Sequence, residues 1–125
     1  MDANIKIVDA LALGAMVFGE PTAQAIASRF KGASLAAPTL LWLEMANLCL
    51  KKMKQYPRQN DAMRKAFDLA LRLPIRTYDT DPSQVLDLAL DRNLTAYDAA
   101  YLWLAEILGA ELVTLDAKLL KEAMR

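Results

Sequence analysis

The run Ile5-Lys6-Ile7-Val8 is apolar except for one lysine and closes on the acid Asp9, which reads as a short buried strand. A stretch at helical spacing follows to about Phe18, where Gly19-Glu20-Pro21 breaks it, and Thr22 is placed to cap a second helix reaching about Lys31. Leu35-Ala36-Ala37 makes a second short strand closed by Pro38. Thr39 then opens a long apolar helix to about Lys54, with Pro57 marking its end. Over residues 59–72 the apolar positions Met63, Ala66, Phe67, Ala70 and Leu71 recur with a helical period. Ile75-Arg76-Thr77-Tyr78 alternates as a strand does. Asp81-Pro82, a capping acid followed by proline in the first turn, starts a helix to about Arg92, and Asn93 suits a left-handed cap after it. Thr95 opens the next helix, which ends before Gly109. Glu111 to Leu115 is the last strand, and Asp116 begins a terminal helix.

Strands alternating with helices predict an α/β protein: a short parallel sheet flanked by helices in a three-layer α/β/α arrangement. The chain has 125 residues, with no repeat or low-complexity linker, which suits one domain over 1–125. In parallel sheets ligands gather outside the carboxyl ends of the strands. Asp9 and Asp116 each stand where a strand hands over to a helix.

Composition narrows the chemistry. Histidine is absent and Cys49 is the one cysteine, so neither a Ser-His-Asp or Cys-His centre nor a Cys/His zinc site can be built. A lone cysteine between Leu48 and Leu50 reads as a small buried residue in a reducing compartment. No apolar run approaches membrane-spanning length, and no leader pattern opens the chain; a cytoplasmic protein is expected. Fifteen basic residues balance fifteen acidic ones, so net charge does not drive contact with nucleic acid. Six of the basic residues, Lys51, Lys52, Lys54, Arg58, Arg64 and Lys65, nevertheless crowd into residues 51–65 with only Asp61 among them. That segment is either a solvated helix end or a surface that meets phosphates. A hydrophobic fraction of 55% is high for so small an interior. Trp42, Trp103 and the Met-bearing helices are expected to be partly covered by a second subunit or a partner.

Four acids stand out: Asp9, Glu44, Asp98 and Asp116. Asp9 and Asp116 are also candidate helix caps, and Thr95-Ala96-Tyr97-Asp98 resembles a capping box with aspartate in its last place. Glu44 interrupts an apolar helix between Leu43 and Met45, although Asn47 and Lys51 fall on the same face and would make a thin polar stripe. Carboxylates brought together raise one another's pKa unless a cation neutralises them. A hard dication with oxygen ligands, Mg²⁺ or Mn²⁺, is the natural counterion. Such ions polarise phosphoryl oxygens and activate water without histidine. A phosphoaspartate enzyme of the haloacid dehalogenase kind would need a second aspartate at position 11, which is Leu11. A receiver domain would need an acidic pair at the end of the first strand, which is missing.

The chain resembles PIN-domain proteins, specifically the VapC toxins of bacterial toxin–antitoxin pairs. The stretches that carry the resemblance are Ile7-Val8-Asp9-Ala10, Pro38 through Glu44-Met45-Ala46-Asn47, Thr95-Ala96-Tyr97-Asp98-Ala99-Ala100-Tyr101, and Val113-Thr114-Leu115-Asp116, in family order and spacing over nearly the whole chain. The resemblance implies a PIN-like fold and a Mg²⁺ or Mn²⁺ site made by Asp9, Glu44, Asp98 and Asp116, with Asn47 and Thr114 in supporting places. It also implies endoribonuclease activity, a homodimer, and inhibition by a VapB-like antitoxin whose tail, often through an arginine, plugs the acidic pocket. Leu11 departs from the family, where many relatives carry Ser or Thr. The chain also stops at Arg125, where relatives often add a final short strand, so the sheet is expected to have one edge strand fewer. The alternative is a PIN fold that binds RNA or protein without cutting, which Leu11 favours and the four acids oppose.

Overall fold

The structure is a computed structural model that describes residues 4–125. Four strands form among them: β1 (Ile5–Val8), β2 (Ser34–Pro38), β3 (Ile75–Tyr78) and β4 (Glu111–Val113). They pair in the order β3-β2-β1-β4, all parallel, with Ile7 opposite Ala36, Val8 opposite Val113 and Pro38 opposite Tyr78. Between them lie α1 (Ala10–Val17), α2 (Ala23–Phe30), α3 (Leu41–Gln55), a 3-10 turn (Pro57–Gln59), α4 (Asn60–Ala70), α5 (Pro82–Arg92) and α6 (Ala96–Leu108), and α7 (Ala117–Ala123) follows β4.

Parallel strands need crossovers, and crossovers are right-handed. The chain steps from β1 to β2 to β3 in one direction, so α1 to α4 share one face. It then crosses back over β2 and β1 to β4, which puts α5 and α6 on the other face. The sheet is thus covered on both sides, as its apolar strands require. The predicted three-layer α/β/α architecture is the one observed. β4 lies at the edge of the four-stranded sheet.

Ile7, Val8, Leu13, Leu41, Met45, Leu104, Val113 and Leu119 form the fully enclosed centre of the core. α6 crosses the middle of the sheet, and its alanines explain how closely it is covered. Ala99 and Ala100 pack with Val85 and Ala89 of α5 in a second small cluster, where larger side chains would hold the helices apart. On the opposite face the backbone of α1 comes close to α3. A Cβ at Gly14 would stand 3.0 Å from the Leu48 side chain.

Three local expectations are corrected. Thr22 does not cap α2: its backbone is already helical (φ −83°, ψ −1°), so its hydroxyl makes no capping bond. α3 begins at Leu41 rather than Thr39, because the Thr39 N–H donates to the Tyr78 carbonyl at 3.0 Å and the residue is still held by the sheet. β4 ends at Val113 instead of Leu115, because Thr114 turns out of the ladder and uses its hydroxyl elsewhere. The expected caps at Asp81 and Asn93 are present; Asn93 is left-handed, with φ 53° and ψ 48°. Cys49 is buried as expected.

Part of the exposed apolar surface lies on α3, which bears Met45 and Met53, and part on α5, which bears no methionine. Trp42 and Trp103 are half-buried against the core, with the Trp103 indole N–H donating to Gln84 Oε1 at 2.8 Å. The exposed large apolar side chains include Leu43, Leu50, Leu86, Leu90 and Tyr97. No helix among the described residues is long and apolar enough to cross a membrane.

Leu41 and Leu43 lie two positions apart on α3, with 0% and 77% of their surface exposed. Leu41→Ala is expected to lower stability by about 2–5 kcal/mol and Leu43→Ala to stay within about 0.5 kcal/mol of the parent. Urea midpoints of the two variants check this difference.

Candidate functional site

The direction in which the chain crosses the sheet reverses at β1: β2 leads away on one side, and β4 returns on the other. The crevice outside the carboxyl ends of β1 and β4 is therefore the place where a parallel sheet leaves room for a ligand. α1, α3 and α7 start where β1, β2 and β4 end, so their N-termini face this edge. Each of the four acids picked from the sequence lies at or within the first turn of a helix. Asp9 and Asp116 are the N-cap residues of α1 and α7, and Glu44 and Asp98 fall in the first turns of α3 and α6. Helix N-termini favour negative charge by about 0.3–1 kcal/mol each.

Asp9 is 5% exposed. Its Oδ1 accepts the Ala12 N–H at 2.9 Å, and its Oδ2 accepts the hydroxyl of Thr114. The same Thr114 oxygen accepts the Asp116 N–H at 3.0 Å, and Asp116 Oδ1 accepts the Leu119 N–H at 2.9 Å. Thr114 thus ties the residue after β1 to the turn after β4. The two aspartates do cap their helices, but each cap uses one oxygen of two, so capping and a further role are compatible.

Glu44 is half-buried, and its Oε1 accepts the Tyr101 hydroxyl at 2.6 Å. Tyr101 lies one turn beyond Asp98 on α6, and only 2% of it is exposed. Asp98 is half-buried too. Its backbone N–H donates to the Thr95 hydroxyl at 3.1 Å, which is one half of a capping box. Asn47, one turn beyond Glu44, is exposed and makes no side-chain hydrogen bond among the described residues. With Leu43, Glu44, Leu50 and Tyr97 it lines a cavity of about 540 Å³.

The acids act on one another. Burial pushes the Asp9 carboxyl up to about 6; the Thr114 and Ala12 hydrogen bonds oppose the rise, and the charges of Asp98 and Glu44 add to it. Glu44 is raised by burial and by Asp98, against the pull of the Tyr101 hydroxyl. Asp98 is raised by burial and then by Asp116, while the Thr95 hydroxyl and Lys118 pull the other way. Burial and the Glu44 carboxylate drive the Tyr101 phenol far upward, so it stays a neutral donor. Asp9, Glu44, Asp98 and Asp116 therefore form one electrostatic group at one edge of the sheet. None of the ion pairs among the described residues uses any of them.

Among the described residues, no three acidic or cysteine side chains stand in a geometry that would enclose a metal ion. The donors that are present fit one kind of ion. They are all carboxylate oxygens at the positive ends of helices, and burial and the charges of neighbouring acids raise those of Asp9, Glu44 and Asp98. Mg²⁺ binds through one or two carboxylates and keeps several of its waters, so it needs no closed protein cage. Tyr101 is the residue that reading the sequence missed as a participant. The signal was its place one turn after Asp98, on the same face of a helix that enters the site.

Comparison with known proteins shows the family and the fold. The PIN-domain family profile matches residues 6–123. Ribonuclease VapC3 of Pyrobaculum aerophilum is 31% identical over 118 residues, covering 90% of each chain. The crystal structure of PAE2754 from Pyrobaculum aerophilum superposes with a TM-score of 0.75 at 28% identity, covering 95% of this chain and 86% of that one.

Because its carboxyl titrates higher in the fold than in the unfolded chain, Asp9 binds its proton more tightly when native. Its contribution is fully present below about pH 4 and is lost as pH rises through about 6. In EDTA, Asp9→Asn is thus expected to match the parent near pH 4 and to exceed it by about 2–3 kcal/mol above pH 7. Denaturant melts across that range check the sign. Tyr101→Phe keeps the buried ring and removes the donor to Glu44, at an expected cost of about 1.5–3 kcal/mol. In a Glu44→Gln background the cost should shrink, which a double-mutant cycle measures.

Proposed function

This chain belongs to the PIN-domain family, and from that premise we propose that it is a Mg²⁺- or Mn²⁺-dependent endoribonuclease, the VapC-type toxin of a toxin–antitoxin pair. The observation that carries the proposal is the group of four carboxylates gathered at the strand ends, three of them (Asp9, Glu44 and Asp98) raised by burial and by their acidic neighbours, and none of the four in an ion pair among the described residues. Asp9, Glu44, Asp98 and Asp116 are the residues that would hold the ion. When bound, such an ion stabilises charge on the phosphoryl oxygens and activates water near neutral pH.

The chain's own residues orient and exclude. Thr114 holds Asp9 in place through its hydroxyl, and its link to the Asp116 N–H keeps the turn after β4 against β1. Tyr101 fixes Glu44 by one oxygen and leaves the other free. Asn47, exposed at the rim, is placed to contact the sugar or phosphate of the RNA. With the acids unneutralised, the acidic group repels the phosphate that is to react, so that one phosphate and the metal enter the site together. Leu11 lies two residues after Asp9 in the first turn of α1, with 48% of its surface exposed, and on this reading the four acids carry the chemistry without a hydroxyl there.

The same reading extends to partners. An acidic pocket beside exposed Leu43, Leu50 and Tyr97 suits a VapB-like antitoxin segment with an arginine and apolar neighbours. Leu86 and Leu90 offer a further apolar surface for a second copy of the chain. Ribonuclease VapC3 carries its activity in its name; for this chain a cytoplasmic RNA target follows by the same proposal.

Pure protein is expected to cut RNA with Mg²⁺ or Mn²⁺, to stop in EDTA, and to recover when the ion is returned. Asp98→Asn should lose about 10²-fold or more in rate, as when a stabilising group at a charged transition state is removed. Cutting that survives exhaustive chelation overturns the mechanism, and binding of RNA without cutting under all ions supports the non-enzymatic alternative. Mn²⁺ at a hundred times its Kd should stabilise the parent by about 2.7 kcal/mol, and Asp9→Asn and Glu44→Gln should lose most of that gain. An equal gain in the parent and Asp9→Asn removes Asp9 from the site.

A further inference from the structure

The six basic residues crowded into residues 51–65 separate into two groups in the fold. Lys52 is engaged, with its Nζ 2.8 Å from Glu20 and lying over the Phe18 ring, and Arg64 pairs with Asp68 at 3.2 Å. Lys51, Lys54, Arg58 and Lys65 are exposed and belong to no ion pair among the described residues. Two of these free lysines lie on the outer stripe of α3. Leu43, Asn47, Leu50, Lys51 and Lys54 are all exposed and recur at spacings of three and four, which places them on one helical face.

The stripe starts at the cavity lined by Glu44, Asn47 and Tyr97 and runs toward the turn that joins α3 to α4. From Glu44 to Lys54 the helix rises about 15 Å. At its far end Tyr56, 44% exposed, and Arg58 line a second, shallow cavity of about 390 Å³. An open tyrosine beside an arginine is a surface on which an unpaired base stacks. The near end carries carboxylates and exposed apolar side chains, and the far end carries cations. A bound polyanion would thus meet a metal at one point and lysines further along.

We infer that the outer stripe of α3 is the track for single-stranded RNA, with phosphates on Lys51 and Lys54 and a base stacked on Tyr56 beside Arg58. This rests on the nuclease reading and names the surface that holds its substrate. Single-stranded RNA is favoured over a duplex because the exposed rings of Tyr56 and Tyr97 are open to unpaired bases.

The test is binding of a fluorescent single-stranded RNA oligonucleotide to the full chain in EDTA over a salt series, with cutting measured separately in Mn²⁺. Lys51→Ala/Lys54→Ala is expected to weaken binding roughly tenfold to thirtyfold at ~0.1 M salt, and to lower the slope of log affinity against log salt by about 1.4, from ~0.7 per phosphate contact. In Mn²⁺ the same variant should raise KM with kcat kept. Tyr56→Ala should weaken binding and leave the salt slope unchanged. Lys31→Ala/Arg72→Ala, which removes two cations before the N-terminal ends of β2 and β3, should leave both readouts at the parent's values. Every substituted side chain is exposed, so melting temperatures should agree.

If the parent binds and cuts RNA and the Lys51/Lys54 variant does so equally well, the track is wrong and the nuclease reading stands. An equal loss in the Lys31/Arg72 control means diffuse attraction and also overturns the track. A variant that loses RNA only because its oligomeric state changes, by light scattering, makes the stripe a protein interface and overturns it too. If the parent neither binds nor cuts RNA, both readings fall.

Discussion

The carboxyl group of Asp9 meets three demands at once, and much of the molecule is arranged around them. It ends a buried strand, caps α1 with one oxygen and receives the Thr114 hydroxyl on the other, all with 5% of the residue exposed. A buried carboxylate is tolerated only when its oxygens are satisfied, and both are. Those two hydrogen bonds favour the charged form, yet the group still titrates near 6, because burial and the neighbouring acids outweigh them. The fold therefore holds a charge at a free-energy cost, at the one edge where the topology leaves a crevice. A cost kept at a strand end, where a plain cap would do the structural work with far less strain, is what a ligand-binding role explains.

Position along the chain was legible because the elements are short, strongly patterned and punctuated by caps. Asp81-Pro82, Asn93 and Gly109 act where their chemistry says they should, since capping is settled by a few neighbouring atoms. Thr22 was misread for the complementary reason. A threonine before a helical pattern looks like a cap whether or not its own backbone has already turned helical, and sequence does not carry that dihedral. The length of β4 was misjudged because Val113-Thr114-Leu115 continues a β-forming run, while the Thr114 hydroxyl is drawn away by a carboxylate 105 residues earlier in the chain. Local propensity has no knowledge of such a partner.

The four acids were legible individually and their convergence was only inferable. Asp9 and Asp116 could be placed by the rule for parallel sheets, whereas Glu44 and Asp98 belong to helices whose N-termini meet only after β2, β1 and β4 have paired. Tyr101 left one signal, its place one turn after Asp98, and the apolar pattern of its helix hid it. A tyrosine in an apolar helix reads as core, and most of this one is core; only the last atom of the side chain reaches Glu44. An amphipathic residue that spends its ring on packing and its hydroxyl on a distant carboxylate cannot be recognised from periodicity, because the ring alone satisfies the pattern.

α3 joins these levels in one element. Leu41, Met45 and Cys49 form its buried stripe, and a quarter-turn away Glu44 enters the acidic group. The opposite side is open and ends in lysines that pair with no acid among the described residues. Fifteen positive and fifteen negative charges sum to zero, so the field at long range is weak, and what remains is separation: acids clustered at the strand ends, free cations at the far end of the same helix. On the proposed reading that separation is required. A site lined with lysines would neutralise its own carboxylates and leave no need for a dication. A surface with no cations would offer a polyanion nothing but repulsion before the dication arrives. Cations about 10–15 Å along a rigid helix would attract the phosphates that flank the reacting one and leave the carboxylates free for the metal. The buried stripe of α3 is what fixes that distance.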